Sequence, residues 1–242
     1  MSTSSDETTS PGEAPPPTPP PAPGDRIKLV AALIGLVGAA LFVLAAVAVR
    51  AEGNDSSGSQ TGDSETWDGT AIAPALARPD FTLTDTSGRP YDFAAETRGK
   101  LTVLFFGYTN CPDVCPPHMA ILDSALDTPG MPKATVVFVT TDPDRDTPER
   151  LRSWLDNFNA DFVGLTGTPE QIAQAERAAH VAGSMVIPAE NGDSDDYTVG
   201  HAAQMITYTP DDLAHVVYPF GVRREDWTHD LPQLLERWGD AP

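Results

Sequence analysis

Residues 74–242 predict a mixed α/β sheet flanked by helices, on three observations. Two apolar runs rich in β-branched and aromatic residues, LTVLFFGY (101–108) and ATVVFVTT (134–141), read as strands buried on both faces. The triplet Thr-Pro-Glu occurs at 147–149 and again at 168–170, and each copy opens a helical pattern, with Thr as N-cap and Pro at the first helical position. Short alternating segments around polar turns stand before and after this block, as expected of antiparallel pairs. Buried parallel strands joined by helices, followed by an antiparallel pair and a helix, make a mixed sheet.

In order, PDFTLTDTSGRPYDF (79–93) predicts an N-terminal β-hairpin turning at Ser87-Gly88, and Arg98-Gly99-Lys100 a second turn. The strand 101–108 breaks at Thr109-Asn110. Cys111, Cys115, Pro116 and Pro117 follow, and MAILDSAL (119–126) reads as helix. After the strand 134–141, the helix opened by Thr147 carries an apolar face at Leu151, Trp154, Leu155 and Phe158. DFVGLT (161–166) is a short strand, and the helix opened by Thr168 runs to about Ala179. PAENGDSDD (188–196) is a polar loop. GHAAQMITYT (200–209) leads into a strand, Pro210-Asp211-Asp212 turns it, and LAHVVYPFG (213–221) returns. EDWTHDLPQLLERWG (225–239) is a terminal helix whose regular part Pro232 is expected to limit.

The N-terminal third is different in kind. Residues 1–26 are rich in Ser, Thr, Glu and Pro, with eight prolines between Pro11 and Pro23, and have nothing to bury, so a disordered tail is expected. Within 27–49, Leu29–Val49 is 21 residues without a charge, long enough to cross a hydrocarbon core of about 30 Å as a helix. Arg26 and Lys28 against Arg50 orient this single anchor with its N-terminus in the cytoplasm and the rest outside. Ala46-Val47-Ala48 would suit signal cleavage, but the run exceeds the ~7–15 residues of a signal core. No cysteine near its end offers a lipid attachment point. Residues 50–73, rich in Gly, Ser, Asp and Thr, read as a flexible tether. Beyond residue 50 the chain carries 12 basic and 31 acidic residues, a poor surface for nucleic acid or anionic lipid and a good one for a soluble exported domain.

Cys111 and Cys115 are the only cysteines in 242 residues. They sit where a buried strand gives way to a helix, so backbone amides and the helix dipole favour a thiolate there. A structural disulfide across so short a loop would stabilise little. The end of a central strand is also the carboxyl edge of the sheet, where such folds place their sites. Of five histidines, His201 stands out, because in a thioredoxin-like sheet the loop entering the strand QMITYT faces the cysteine loop. Two thiolates and one imidazole suit copper, Cu(I) above all; zinc also accepts them, but a structural zinc site normally has four protein ligands. Taken without the fold, a lone histidine is more often a surface or packing residue. His118, three residues after Cys115, is a rival ligand whose plainer reading is a partly exposed residue of the first helical turn. Met119 and Met205 fall at core positions. His180, His215 and His229 have no partner pattern. In Asp142-Pro143-Asp144-Arg145-Asp146-Thr147-Pro148, Asp142 could support a metal ligand and an Asp–Arg pair could stiffen the loop, although a turn and a helix cap already explain these residues.

PDFTLTDTSGRPYDF, GKLTVLFFGYTNCPDVCP, TTDPDRDTPERL and GHAAQMITYTPDDL, in this order and spacing, resemble the Sco/SenC family, membrane-anchored thioredoxin-like proteins that help assemble cytochrome c oxidase. The resemblance implies that Cys111, Cys115 and His201 bind copper, as Cu(I) and in a second state as Cu(II), and that the two cysteines form a redox-active disulfide when copper is absent. It implies as partner the dicopper centre of oxidase subunit II, to be loaded or reduced. Two departures are a Pro-Asp-Asp turn after the His201 strand in place of a Gly-containing one, and His118 with Pro117.

Cys-x-x-Cys reductases have a shorter loop and usually a cis-proline before the facing strand; here that entry holds Gly200-His201, and the nearest upstream proline is Pro188. Both differences favour metal carriage. Three readings follow: a copper metallochaperone, a thiol–disulfide oxidoreductase that keeps a client's copper-binding cysteines reduced, and, last, a peroxidase-like thiol enzyme.

Overall fold

A computed structural model describes residues 67–189 and 197–239 of the 242-residue chain. They belong to one unit, Glu65–Pro242. The expected tail, the anchor and most of the tether lie outside the described residues. Among the described residues no helix is long and apolar enough to cross a membrane.

The elements are β1 (Thr70–Ala77), β2 (Thr82–Asp85), β3 (Pro90–Asp92), α1 (Phe93–Thr97), β4 (Thr102–Gly107), α2 (Cys115–Leu126), β5 (Thr135–Thr140), α3 (Pro148–Leu155), β6 (Val163–Thr166), α4 (Pro169–Ala178), β7 (Met185–Pro188), β8 (Tyr197–Gly200), β9 (Met205–Tyr208), β10 (Leu213–Tyr218) and α5 (Arg224–Trp238). The main sheet has eight strands in the order β1-β10-β9-β4-β5-β6-β2-β3. β4, β5 and β6 run parallel, and β9 closes antiparallel on β4 with Phe105 opposite Met205. This is the mixed sheet that the two apolar runs predict, and every residue of β4 is buried.

Alternation along β4 builds two cores. Val103 and Phe105 face one, with Met119 and Leu122 of α2, Leu151 and Leu155 of α3, and Trp227 and Leu231 of α5. Leu104 and Phe106 face the other, with Phe93 of α1 and Ile172 of α4. Each fully buried Leu, Val or Phe contributes about 1.5–3 kcal/mol. The helix starts follow their local chemistry. Thr147 accepts from the Arg150 N–H, and Thr168 and Gln171 form a reciprocal capping box.

Four elements differ from expectation. β1 occupies the last residues of the stretch expected to be tether; it pairs with β10 through a bulge between Ala71 and Leu76. Its apolar residues do not alternate, so no strand pattern is visible. Asp230, fully buried, fixes its start by accepting the Asp68 N–H at 3.2 Å, the Gly69 N–H at 2.9 Å and the Tyr218 hydroxyl at 3.0 Å. α1 is a single turn capped by Asp92, too short to show a period. β7 and β8 form a separate two-stranded sheet whose connection, including 190–196, lies largely outside the described residues. α5 runs through Pro232 rather than stopping there, because Trp227, Leu231 and Leu234 are buried on either side of it. Packing of that face outweighs the roughly 3 kcal/mol cost of an internal proline. The Pro210-Asp211-Asp212 turn forms as expected, with Asp212 at φ 62°, a conformation Asp tolerates better than most residues. The Asp212 carboxylate repays the site by accepting from Arg78 and from the Gly99 N–H.

Candidate metal centre

The carboxyl ends of β4 and β5 carry the site. After Gly107 the chain leaves the sheet, and a turn closes with the Cys111 N–H on the Tyr108 carbonyl at 3.2 Å. Asp146, fully buried, holds this turn: it accepts from the Thr109 N–H at 2.9 Å, the Thr109 hydroxyl and the Thr140 hydroxyl. α2 then begins at Cys115 itself, whose N–H points at Cys111 Sγ, 3.4 Å away. The other arm is β8, which delivers His201. Arg145 ties it down: its guanidinium lies 3.5 Å over the Tyr197 ring, donates to the Tyr197 carbonyl at 3.0 Å and pairs with Asp142. The Tyr197 hydroxyl also donates to Asp142 at 2.7 Å. The Asp–Arg pair read from the sequence is thus present. Asp142 braces the hairpin that carries His201 and is not among the three donors that converge. Asp146, four residues further on and not singled out in the sequence, braces the cysteine loop.

His201 Nε2 lies 3.6 Å from Cys115 Sγ and 4.0 Å from Cys111 Sγ, and all three donor atoms fall within 4.8 Å of one another. Nδ1 is 3.0 Å from the Ala202 carbonyl, which fixes the ring with Nε2 toward the sulfurs. The rings of Phe105 and Tyr108 stand edge-on to the imidazole. The residues fit a soft metal ion. With metal–sulfur and metal–nitrogen bonds of about 2.0–2.3 Å, three donors around one ion stand roughly 3.5–4 Å apart. No disulfide joins the two cysteines here. Cys111 and His201 line a cavity of about 290 Å³ open to solvent, with Tyr108, Asp113, Thr198 and Ala203; Cys115 lies behind them.

The two thiols are unequal. Cys111 is held down at about 3, first by the hydrogen bond from the Cys115 thiol, then, against burial, by His201 and the N–H groups of Cys115 and Asp113. Cys115 is pushed up by donating to Cys111, by burial and by the charge on Cys111. Burial draws His201 down, but its hydrogen bond to Cys111 and the Ala202 carbonyl outweigh this and hold it above the ordinary imidazole range. The pair therefore holds one proton, on Cys115, with the thiolate on the residue that lines the open cavity. Iodoacetamide should modify Cys111 first, at a rate nearly flat from pH 5 to 8, where an ordinary thiol gains about tenfold per unit. Peptide mapping of the singly alkylated protein checks this; equal labelling or a tenfold rise per unit would contradict it.

Gly107 is a second feature that sequence reasoning passed over. A Cβ there would stand 2.7 Å from Cys115 Sγ. His118 departs from expectation too: it is 2 % exposed, not a partly exposed helix residue. It is held down at about 4, by burial first and then by the charge of His201. Met119 and Met205 are fully buried core residues. His215 pairs with Asp211 and stacks on Trp238, and His229 pairs with Asp68 and Asp230. His180 occupies a left-handed turn at φ 57° after α4. None of these joins the three donors.

A thioredoxin-like sheet with two thiols and an imidazole gathered at its carboxyl edge defines a protein of the class that handles thiols and soft metals. The chain belongs to the SCO1/SenC family, whose model matches residues 70–236. A protein of Stutzerimonas stutzeri, described as a candidate copper-binding protein, is 34% identical over 166 residues, 66% of this chain and 78% of that one. The mitochondrial SCO2 homolog of Bos taurus is 35% identical over 143 residues, 57% of this chain and 52% of its own length. The chain thus spans about half the length of the mitochondrial relatives it matches. The crystal structure of Arabidopsis thaliana ScoI with copper bound is similar at a TM-score of 0.61 and 28% identity, covering 68% of this chain and all of that one.

Proposed function

We propose that this protein is a copper metallochaperone that binds Cu(I) through Cys111, Cys115 and His201 and delivers it to the dicopper centre of cytochrome c oxidase subunit II. The observation that carries the proposal is the convergence of two sulfurs and one oriented imidazole nitrogen within 4.8 Å. Copper-bound relatives and the soft donor set support the choice of metal. The choice of client rests on the family resemblance alone. Leu29–Val49 would anchor the protein in the cell membrane as a single span, N-terminus in the cytoplasm and the described domain outside.

The chain's residues do the work of capture. Cys111 presents a thiolate at the open cavity, His201 presents Nε2, and Cys115 completes the set from within by giving up its proton. Because the Cys115 proton is held well into the alkaline range, each unit of pH makes it about tenfold easier to displace. The conditional Cu(I) affinity should therefore rise at least tenfold per unit from pH 6 to 8, as read by competition with a chelator whose own pH dependence is known. Cys111, already ionised, adds nothing to this slope. A flat profile would contradict the assignment of the proton.

A second reading has a specific observation in its favour: an ionised Cys111 beside a protonated Cys115 is also the arrangement of an attacking and a resolving thiol. Cys111 would attack a client disulfide and Cys115 would release the mixed disulfide, leaving the client reduced and this pair oxidised. Mixing the copper-loaded protein with reduced, copper-free subunit II separates the two. Copper transfer without formation of the Cys111–Cys115 disulfide supports the chaperone. Rapid reduction of an oxidised client with no copper transfer would replace it with the oxidoreductase.

A further inference from the structure

His118 is the residue that neither the fold nor the three-donor site explains. It is 2 % exposed, and neither Nδ1 nor Nε2 finds a hydrogen-bond partner among the described residues. Leaving a buried polar group unpaired costs about 1–3 kcal/mol. A leucine would fill the space at no such cost. Charging the ring there would cost more still, so it stays neutral with a free lone pair. The ring is 5.5 Å from that of Phe105, and Phe105 is 5.9 Å from His201, so one phenyl ring touches both imidazoles. On its other side lies Phe220, 5.2 Å away and 54 % exposed, in the loop between β10 and α5. His118 follows Cys115 by three residues on α2, so the two side chains share a helix face about 5–6 Å apart at Cβ.

We propose that His118 is an alternative copper ligand, forming with Cys115 a second station for Cu(I) on the buried side of the cysteine loop, beneath Phe220. The inference rests on the copper reading above and adds a residue to it. Sulfur and neutral imidazole nitrogen are donors that Cu(I) accepts. Cys115 is common to both stations. An ion can then exchange Cys111 and His201 for His118, or the reverse, without leaving the protein. His118 and Cys115 remain as a set when the outward-facing donors are occupied by a client. No redox change is involved: copper stays Cu(I), and one donor lone pair replaces another.

The test uses the full-length chain, reduced and anaerobic, with Cu(I) as probe. In His201→Ala, one equivalent of Cu(I) should shift the imidazole nitrogen resonances of His118. Adding His118→Leu should lower the remaining affinity at least tenfold against a competing chelator. The nitrogen measurement needs no change at His118, so it stands even where the double variant folds poorly. Unmoved His118 resonances in His201→Ala at one equivalent of Cu(I), while the wild-type protein binds Cu(I) and is weakened by Cys111→Ser, would overturn this proposal and leave the three-donor reading intact. A wild-type protein that binds no Cu(I) would overturn both.

Discussion

His201→Ala should weaken Cu(I) binding by roughly a hundredfold or more, because changes to groups that merely orient a ligand already cost about 10–100-fold. Its Nε2 reaches both sulfurs, at 3.6 and 4.0 Å, and the Ala202 carbonyl together with the rings of Phe105 and Tyr108 fixes it there. The thiol chemistry should survive. The largest cause of the ionised Cys111 is the Cys115 thiol, not His201, so selective alkylation of Cys111 should persist in the variant. Competition with a chromophoric chelator reads the first effect and peptide mapping the second. Wild-type affinity in His201→Ala would remove His201 from the ligand set.

Gly107→Ala should damage the same site from behind. The new Cβ would lie 2.7 Å from Cys115 Sγ and 3.0 and 3.1 Å from the Phe138 ring. The backbone has little freedom to retreat, since β4 is held by β5 with Gly107 opposite Thr140, and Cys115 is fully buried. The sulfur must shift, and with it one of three donors. Cu(I) affinity should fall about 10–100-fold. Overpacking should cost roughly 1–3 kcal/mol of stability, read from the denaturant midpoint. A variant with wild-type affinity and midpoint would show that the strand and the sulfur are not in close contact.

The parts of the structure visible in the sequence are those set by short-range chemistry. LTVLFFGY and ATVVFVTT read as buried strands because a doubly covered sheet demands uninterrupted apolar residues. The two Thr-Pro-Glu starts read as helix caps because Thr147 and Thr168 satisfy amide groups three residues on. That Cys111, Cys115 and His201 come together was legible because a strand end, a helix start and a facing strand entry are places the chain order itself defines. The parts not visible depend on partners distant in sequence. β1 has no alternation and is held by Asp230, 161 and 162 residues away from the amides it accepts. Gly107 looks like any glycine at a strand end until the Cys115 sulfur is placed against it. Asp146 looks like part of a helix-opening turn, and only its three contacts with Thr109 and Thr140 show that it sets the cysteine loop. His118 looks exposed from its place in the first turn of α2, and Phe220, a hundred residues on, covers it.

The central claim is the ligand set, and X-ray absorption at the copper K-edge of the full-length protein loaded with one equivalent of Cu(I) tests it most directly. The account predicts a shell of two sulfurs and one nitrogen, with the outer scattering of an imidazole ring. A shell without sulfur, a shell of sulfur alone, or a protein that retains no copper through desalting would contradict it.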